Sequence, residues 1–572
     1  MPIKNLSYFS NHWALWGFVS LLALGGSLLN AWLGFPFPAP FEGVHSSIGG
    51  VIPYSDAEVY LSGAHRFIEN GYLDSWNLRR PLSTLLLAFY LKITNFNFWS
   101  VMIVQMGVCA FALTIYLKTL RQDLGILAAF IALIFLHYYA QIYIQTTLSE
   151  ILGLSLGLFS FVLLWNGWIA RNRFNFNIGM ATLAIALSAR AGPNFMVFGF
   201  LFLIVWEPFT QSRYKDLFYS ILSFGFPFIV MIKLSTFFGI SEGGGMAMSN
   251  FALTLYGLVA GGKGWLYAYA DPDIQDLLKG KGEAQQAIIL YQESWRAFIS
   301  NPFNLIIGVG KYLIGFFVWF IRLFTFGEGL GRVITTIASI LIWGFIGFQI
   351  FNKRYLLNRG YLFLVVVFAS VAASSMIIFR DAGMRTFAVA IPFMGALFGF
   401  AFTSISSDLK QRVTPNILAS GGTAFIVLAS LMALYLPTKM KTPDISQLVA
   451  NNILGQETFL TYNLNRQPHL LIETVPGLHF RTLSPNTIKK AWPIYRGGDK
   501  SIGSDLLNIV KGFTNNNLVL FLIYDYISHS SKWLIAENHI LDFKAKWIEI
   551  HANIFTQDFN RIYVANSFKE PT

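Results

Sequence analysis

The chain reads as an all-α polytopic membrane protein of about eleven transmembrane helices, followed by a small α/β extracytoplasmic domain. Three observations predict this. Of its 572 residues 55% are hydrophobic and 12% charged, with a mean hydropathy of +0.53; a soluble domain carries about twice that charged fraction. Uncharged apolar runs of about 20 residues, the length that crosses a bilayer as a helix, recur along the chain, as at 98–117, 151–170, 333–352 and 413–438. Basic residues punctuate those runs in short loops, which accounts for the net charge of +12 without nucleic acid as a partner. Lipid leaves backbone groups unsatisfied, so runs this apolar cross it as helices.

The basic loops also set an orientation. Lys4, Arg121, Arg171 with Arg173, Arg213 with Lys215, Lys353 with Arg354, and Lys410 with Arg412 form a series in which the chain crosses twice between marks. If each marks the cytoplasm, the spans fall at 12–34, 98–118, 124–142, 149–168, 176–189, 194–208, 216–236, 332–351, 361–379, 386–404 and 418–436. The first run is long and lacks a small-x-small cleavage pattern, so it reads as a retained helix with a cytoplasmic N-terminus. The segment 304–324 is apolar enough to span, but a crossing there would invert everything after it; it is expected as an interfacial or re-entrant helix pair on the outer side. The only cysteine, Cys109, lies inside a span, which excludes an intrachain disulfide framework.

This division makes 1–436 a transmembrane domain with large outer loops at 35–97 and 237–331. The tail 437–572 turns toward Asn, Lys, Asp and Thr and reads as an extracytoplasmic domain. In it, 469–474 and 518–526 read as buried strands and 530–540 as helix.

Charges at membrane edges are costly and tend to be functional, and here they collect on one side. The stretch "PYSDAEVY" opens a helix at 56–69. Ser55 and Glu58 form a capping-box pattern, so Glu58 reads either as a cap or as a ligand contact. Capping does not need Asp56, which shares a helix face with Tyr60, Gly63 and Phe67. Arg79 and Arg80 precede Pro81 and serve as headgroup anchors or as ligands. Glu150 opens a span, and Arg190 lies between two short helices, which suggests a water-filled recess. Lys263 stands among Gly261, Gly262 and Gly264, where backbone approaches a ligand closely. Arg380 and Arg385 lie in "FRDAGMRTF". His65 has no second histidine at ligand spacing, so no metal and no cofactor are expected.

With these residues in place, the chain resembles the GT-C fold glycosyltransferases, integral membrane enzymes that use polyprenyl-phosphate-linked sugars. The resemblance covers about residues 1–436 and is strongest to the bacterial protein mannosyltransferase and aminoarabinose-transferase group. It rests on "SDAEVYLSGAHRFIENG" after the first span, "RRPLSTLLLAFYL", "TTLSE", "ALSARAGPNF" and "MRTFAVAIPF". The chain departs from that group's frequent Asp-Glu pair, having Asp56-Ala57-Glu58.

The resemblance implies an inverting transfer of a sugar, from a polyprenyl-phosphate donor to an acceptor hydroxyl, outside the cytoplasm in the bacterial cell envelope. Asp56 would be the general base; Arg190, Arg385, Lys263 and Arg80 would stabilise the phosphate leaving group. Partners would be the lipid-linked sugar, a glycan, lipid or protein acceptor, and membrane lipid. The competing readings are a lipid or sugar transporter or flippase, a polysaccharide polymerase or ligase, and a scaffold presenting the C-terminal module.

Overall fold

The computed structural model describes residues 15–28, 47–48, 52–53, 56–74, 76–95, 98–238, 249–322, 332–351 and 359–403, and strands at 455–462, 518–525, 530–537, 547–554 and 562–569. Helix α1 (Leu15–Leu28) is followed by a two-residue hairpin, β1 (Ser47–Ile48) and β2 (Ile52–Pro53). Then come α2 (Asp56–Asn70), α3 (Pro81–Ile93), α4 (Phe98–Asp123), α5 (Ile126–Tyr143), α6 (Ser149–Ile169), α7 (Arg173–Ala189), α8 (Met196–Trp206) and α9 (Arg213–Phe237). Four shorter or bent elements follow: α10 (Ser249–Val259), α11 (Tyr267–Ala270), α12 (Pro272–Leu278) and α13 (Glu283–Ser300). The helical part ends with α14 (Pro302–Arg322), α15 (Arg332–Phe351), α16 (Arg359–Ala382) and α17 (Ile391–Thr403).

Helices occupy each expected interval through 386–404; the interval 418–436 lies outside the described residues. Among the described residues five helices are long and apolar enough to cross a membrane, six if a bent pair is one span. That pair is α13 and α14, bent by 108° at Asn301. Pro302 explains the break: it has no amide to continue α13, and its fixed φ suits the first position of a new helix.

Helix α6 is the axis of the bundle. It packs against α4, α5, α7, α16 and α17. Without a hydrophobic driving force between helices in lipid, close packing must hold them, and small residues permit it. Along α6, Gly157 meets the backbone of Val389, and the Ser160 hydroxyl donates to the Gly179 carbonyl of α7 at 3.2 Å. Phe161, Trp165, Phe363 and Phe393 fill the middle, with Phe161 edge-on to Phe393 at 5.1 Å and Trp165 edge-on to Phe363 at 5.4 Å. Such aromatic pairs contribute about 0.5–1.5 kcal/mol each. Helix α9 contributes little to this core and presents Phe218, Phe226, Ile229 and Phe237 outward, as a lipid-facing helix would.

The charged groups sort to two opposite ends. At one end Glu207 accepts from both Arg171 and Arg359, and the buried Asp216 pairs with Arg173 at 3.4 Å. At the other end of α6, 21 residues or about 31 Å away, Glu150 meets Arg190 and Arg385. Helices α7 and α16 both run from the first end to the second. The Arg-rich loops at 171–173 and 213–215 therefore stand at the end opposite Glu150.

The C-terminal strands form one sheet. They are β3 (Gly455–Tyr462), β4 (Leu518–Asp525), β5 (Ser530–Glu537), β6 (Trp547–Ile554) and β7 (Ile562–Lys569), in the order β3-β6-β7-β5-β4. Neighbours are antiparallel except β5 and β7, which are parallel, and a bulge interrupts β6 at His551/Ala552. The strand expected at 518–526 is β4. The helix expected at 530–540 is instead strand β5 over Ser530–Glu537: mixed polar and apolar spacing suggests a helix there, but pairing with β4 on one side and β7 on the other fixes it as extended. The strand expected at 469–474 lies outside the described residues.

Candidate active site

Four of the sequence-derived residues meet in one ion-pair chain. Arg385 donates through Nη2 to Asp56 Oδ2 at 3.0 Å and through Nε to Glu150 Oε1. The same Glu150 oxygen accepts from Arg190 Nη2. Asp56 and Arg385 are 329 positions apart in sequence, so only tertiary packing can join them. Glu150 is fully buried, and its second oxygen Oε2 has no hydrogen-bond partner among the described residues; nor does Arg190 Nε. Burial disfavours the Arg385 charge, but Glu150 and Asp56 more than offset it and hold its pKa well above the ordinary arginine value.

Each member is placed by identifiable local structure. Asp56 is the first residue of α2, whose inner face buries Ala57, Tyr60, Leu61 and Ala64. The helix is anchored from below, where the Thr147 hydroxyl donates to the Ala57 carbonyl, and from the side, where Asn77 Nδ2 donates to the Val59 carbonyl at 3.1 Å. Asn77 is itself clamped by Asp74 at 2.7 Å and by the Thr84 hydroxyl at 2.6 Å. Glu150 sits in the first turn of α6, where a negative charge complements the helix dipole. Arg385 follows Gly383, whose φ of +56° takes the left-handed conformation that ends α16.

Arg190 belongs to the turn between α7 and α8. The Phe195 amide donates to Ser374 of α16 at 2.9 Å, eight residues short of the α16 end. That places the turn about 12 Å below it, a recess of the kind the two short helices imply. Gly192 makes the close approach possible: a Cβ there would stand 2.1 Å from the Thr386 carbonyl oxygen. Gly192→Ala is expected to force the 191–195 turn away from 383–387, lower stability by about 1–3 kcal/mol and pull Arg190 from Glu150. Thermal melting of the purified variant against wild type checks this.

Beside the ion-pair chain lies a cavity whose lining combines arginines with apolar side chains. Arg79, Arg80 and Arg190 line it with Ser188, Asn194 and Thr386. Phe228, Met231 and Ile232 of the outward-facing α9 and Ile378 of α16 supply apolar lining, and α10 adds Asn250 and Thr254. Arg80 also donates to the Tyr60 hydroxyl at 3.4 Å, and Tyr60 in turn to Ser149 at 3.4 Å, linking the cavity to the start of α6. Arg79 lies over the Trp76 ring at 5.9 Å.

Of the remaining expected residues, Lys263 is engaged elsewhere: its ammonium is exposed, bonds to the Tyr267 hydroxyl at 2.7 Å and lies over that ring. The side chains of Glu58 and Arg380 lie outside the described residues. Sequence reading missed Asn194, Thr386, Asn250 and Thr254, and with them α10 as a wall. Asn194 stood inside "ARAGPNF", but neither periodicity nor spacing marks the α10 residues. It also missed Asp74 and Asn77 as the clamp on α2.

No protein-family model and no curated protein matches this chain.

Proposed function

We propose that this chain is an integral membrane glycosyltransferase of GT-C type. It moves a sugar from a polyprenyl-phosphate donor to an acceptor hydroxyl on the extracytoplasmic side. The observation that carries the reading is the convergence of Asp56 and Glu150 with Arg385 and Arg190 at one end of the bundle, beside a cavity lined by Arg79, Arg80, Arg190 and apolar side chains. A lipid phosphate asks for that pairing: guanidinium forks for the phosphate oxygens and an apolar surface for the chain.

In the proposed reaction the acceptor oxygen attacks the anomeric carbon as the bond from that carbon to the phosphate oxygen breaks, inverting the centre. The acceptor proton passes to Asp56, and the bond pair leaves with the phosphate. Arg190 and Arg80 offset the charge growing there; Arg190 acts from a site where burial strengthens the interaction. Arg385 holds Asp56 in register with Glu150. The Arg-rich end faces the cytoplasm by the positive-inside rule, which sets the site outside. About eleven spans complete the crossing, with α7 and α8 as short spans around the recess, and 437–572 is an extracytoplasmic domain. Metal and cofactor play no part in this proposal.

The test is reconstitution into proteoliposomes with a pool of polyprenyl-phosphate sugars and acceptor extract. Release of free polyprenyl phosphate together with a glycosylated acceptor is the expected result. Movement of the intact donor across the bilayer without release would replace the proposal with a flippase.

A further inference from the structure

Helix α13 carries an apolar stripe that no element among the described residues covers. Ile288, Trp295 and Ile299 are 51%, 61% and 61% exposed. Their spacing of i, i+7, i+11 sets them on one arc of about 40°. The buried side of the same helix, Ala287, Leu290 and Ser294, packs against α10. On the flank next to the stripe, about 40–80° from its centre, stand Gln285, Gln292 and Arg296, all exposed. Three faces are thus distinct: protein, apolar and polar.

The stripe does not stop at the helix end. Beyond the 108° bend it continues as Phe303 and Ile306 at the start of α14, 63% and 64% exposed. Helix α14 packs against α16, which is long and apolar enough to span, and reaches its middle where Phe317 meets Phe368 at 6.2 Å. If α14 enters the bilayer along α16, a 108° bend turns α13 nearly into the membrane plane. The apolar stripe then faces the acyl chains and the Gln-Arg face looks to water.

We propose that α13 is an in-plane anchor seated in the lipid interface on the side of the candidate site, with Ile288, Trp295 and Ile299 submerged at the boundary between headgroups and acyl chains. The partner is a lipid surface. Amphipathic helices with an apolar flank including Trp bind this boundary through buried apolar area. The placement has a consequence for the cavity: α10, which α13 braces, supplies Asn250 and Thr254 to the cavity lining. Lipid therefore holds the α10 wall at headgroup depth, whatever reaction the cavity serves.

The single cysteine makes the test direct. Cys109→Ala gives a cysteine-free parent, into which one cysteine is placed at 285, 288, 292, 295, 296 or 299. Each is spin-labelled in proteoliposomes, and collision rates with oxygen and with a water-soluble nickel chelate are measured. The expected oxygen-to-nickel ratio is several-fold higher at 288, 295 and 299 than at 285, 292 and 296. Equal ratios at all six positions would overturn the proposal. So would low access of both reagents at 288, 295 and 299, because a second copy or another protein would then cover the stripe. Variants whose melting departs from the parent are set aside; 288 and 299 still report if Trp295→Cys does not fold.

Discussion

Asp56→Asn is expected to lower sugar transfer by about two to four orders of magnitude, the contribution general-base help makes, while expression and melting stay near wild type. The amide keeps the size and one accepting oxygen but takes no proton from an acceptor hydroxyl. The fold has little stake in the charge: the Asp56 side chain is partly exposed, and Arg385 keeps its second carboxylate, Glu150. Asp74→Asn is the matched contrast. Asp74 holds the amides of Trp76 and Asn77, the Asn77 side chain and Arg66, so its loss should appear first as lowered stability of the α2 region. Full transfer activity in Asp56→Asn, assayed with purified protein and lipid-linked sugar, would remove the base assignment.

Glu150→Gln should show the reverse pattern. One fully buried oxygen accepts from two arginines, and removing one partner of a buried charge pair costs about 3–5 kcal/mol, because the remaining charge is stranded. Melting should fall by several degrees, and transfer should fall with it, since Arg385 loses the contact that fixes it beside Asp56. A double-mutant cycle with Arg190→Gln separates the two effects. Coupling of about 0.5–3 kcal/mol is expected for groups in one ion-pair network; additive losses would mean that Glu150 and Arg190 act independently.

Much of this arrangement could be read from residue order. The apolar runs located the helices because their length and lack of charge follow from the bilayer itself. The short helices flanking Arg190 announced a recess. Asp56, Glu150, Arg190 and Arg385 were each visible as charges where charges are costly. Their pairing was not, because it depends on Gly157 and Gly192 letting α6 and the 191–195 turn close on residues 386–389, a three-dimensional fit without a linear signature. Lys263 drew attention through its flanking glycines, yet those serve the turn after α10, where Gly261, Gly262 and Gly264 all have positive φ. Strand β5 was misjudged for a related reason: its identity is decided by two neighbours, one of them arriving from residues 562–564.

Photo-crosslinking with a lipid phosphate reports where that group binds. A polyprenyl phosphate carrying a diazirine near the phosphate is irradiated with the purified protein in lipid, and adducts are mapped by mass spectrometry. Adducts are expected on 78–81, 188–194 and 228–232, lost when unlabelled polyprenyl phosphate competes and reduced in Arg190→Gln. Competable adducts confined to other segments would contradict it.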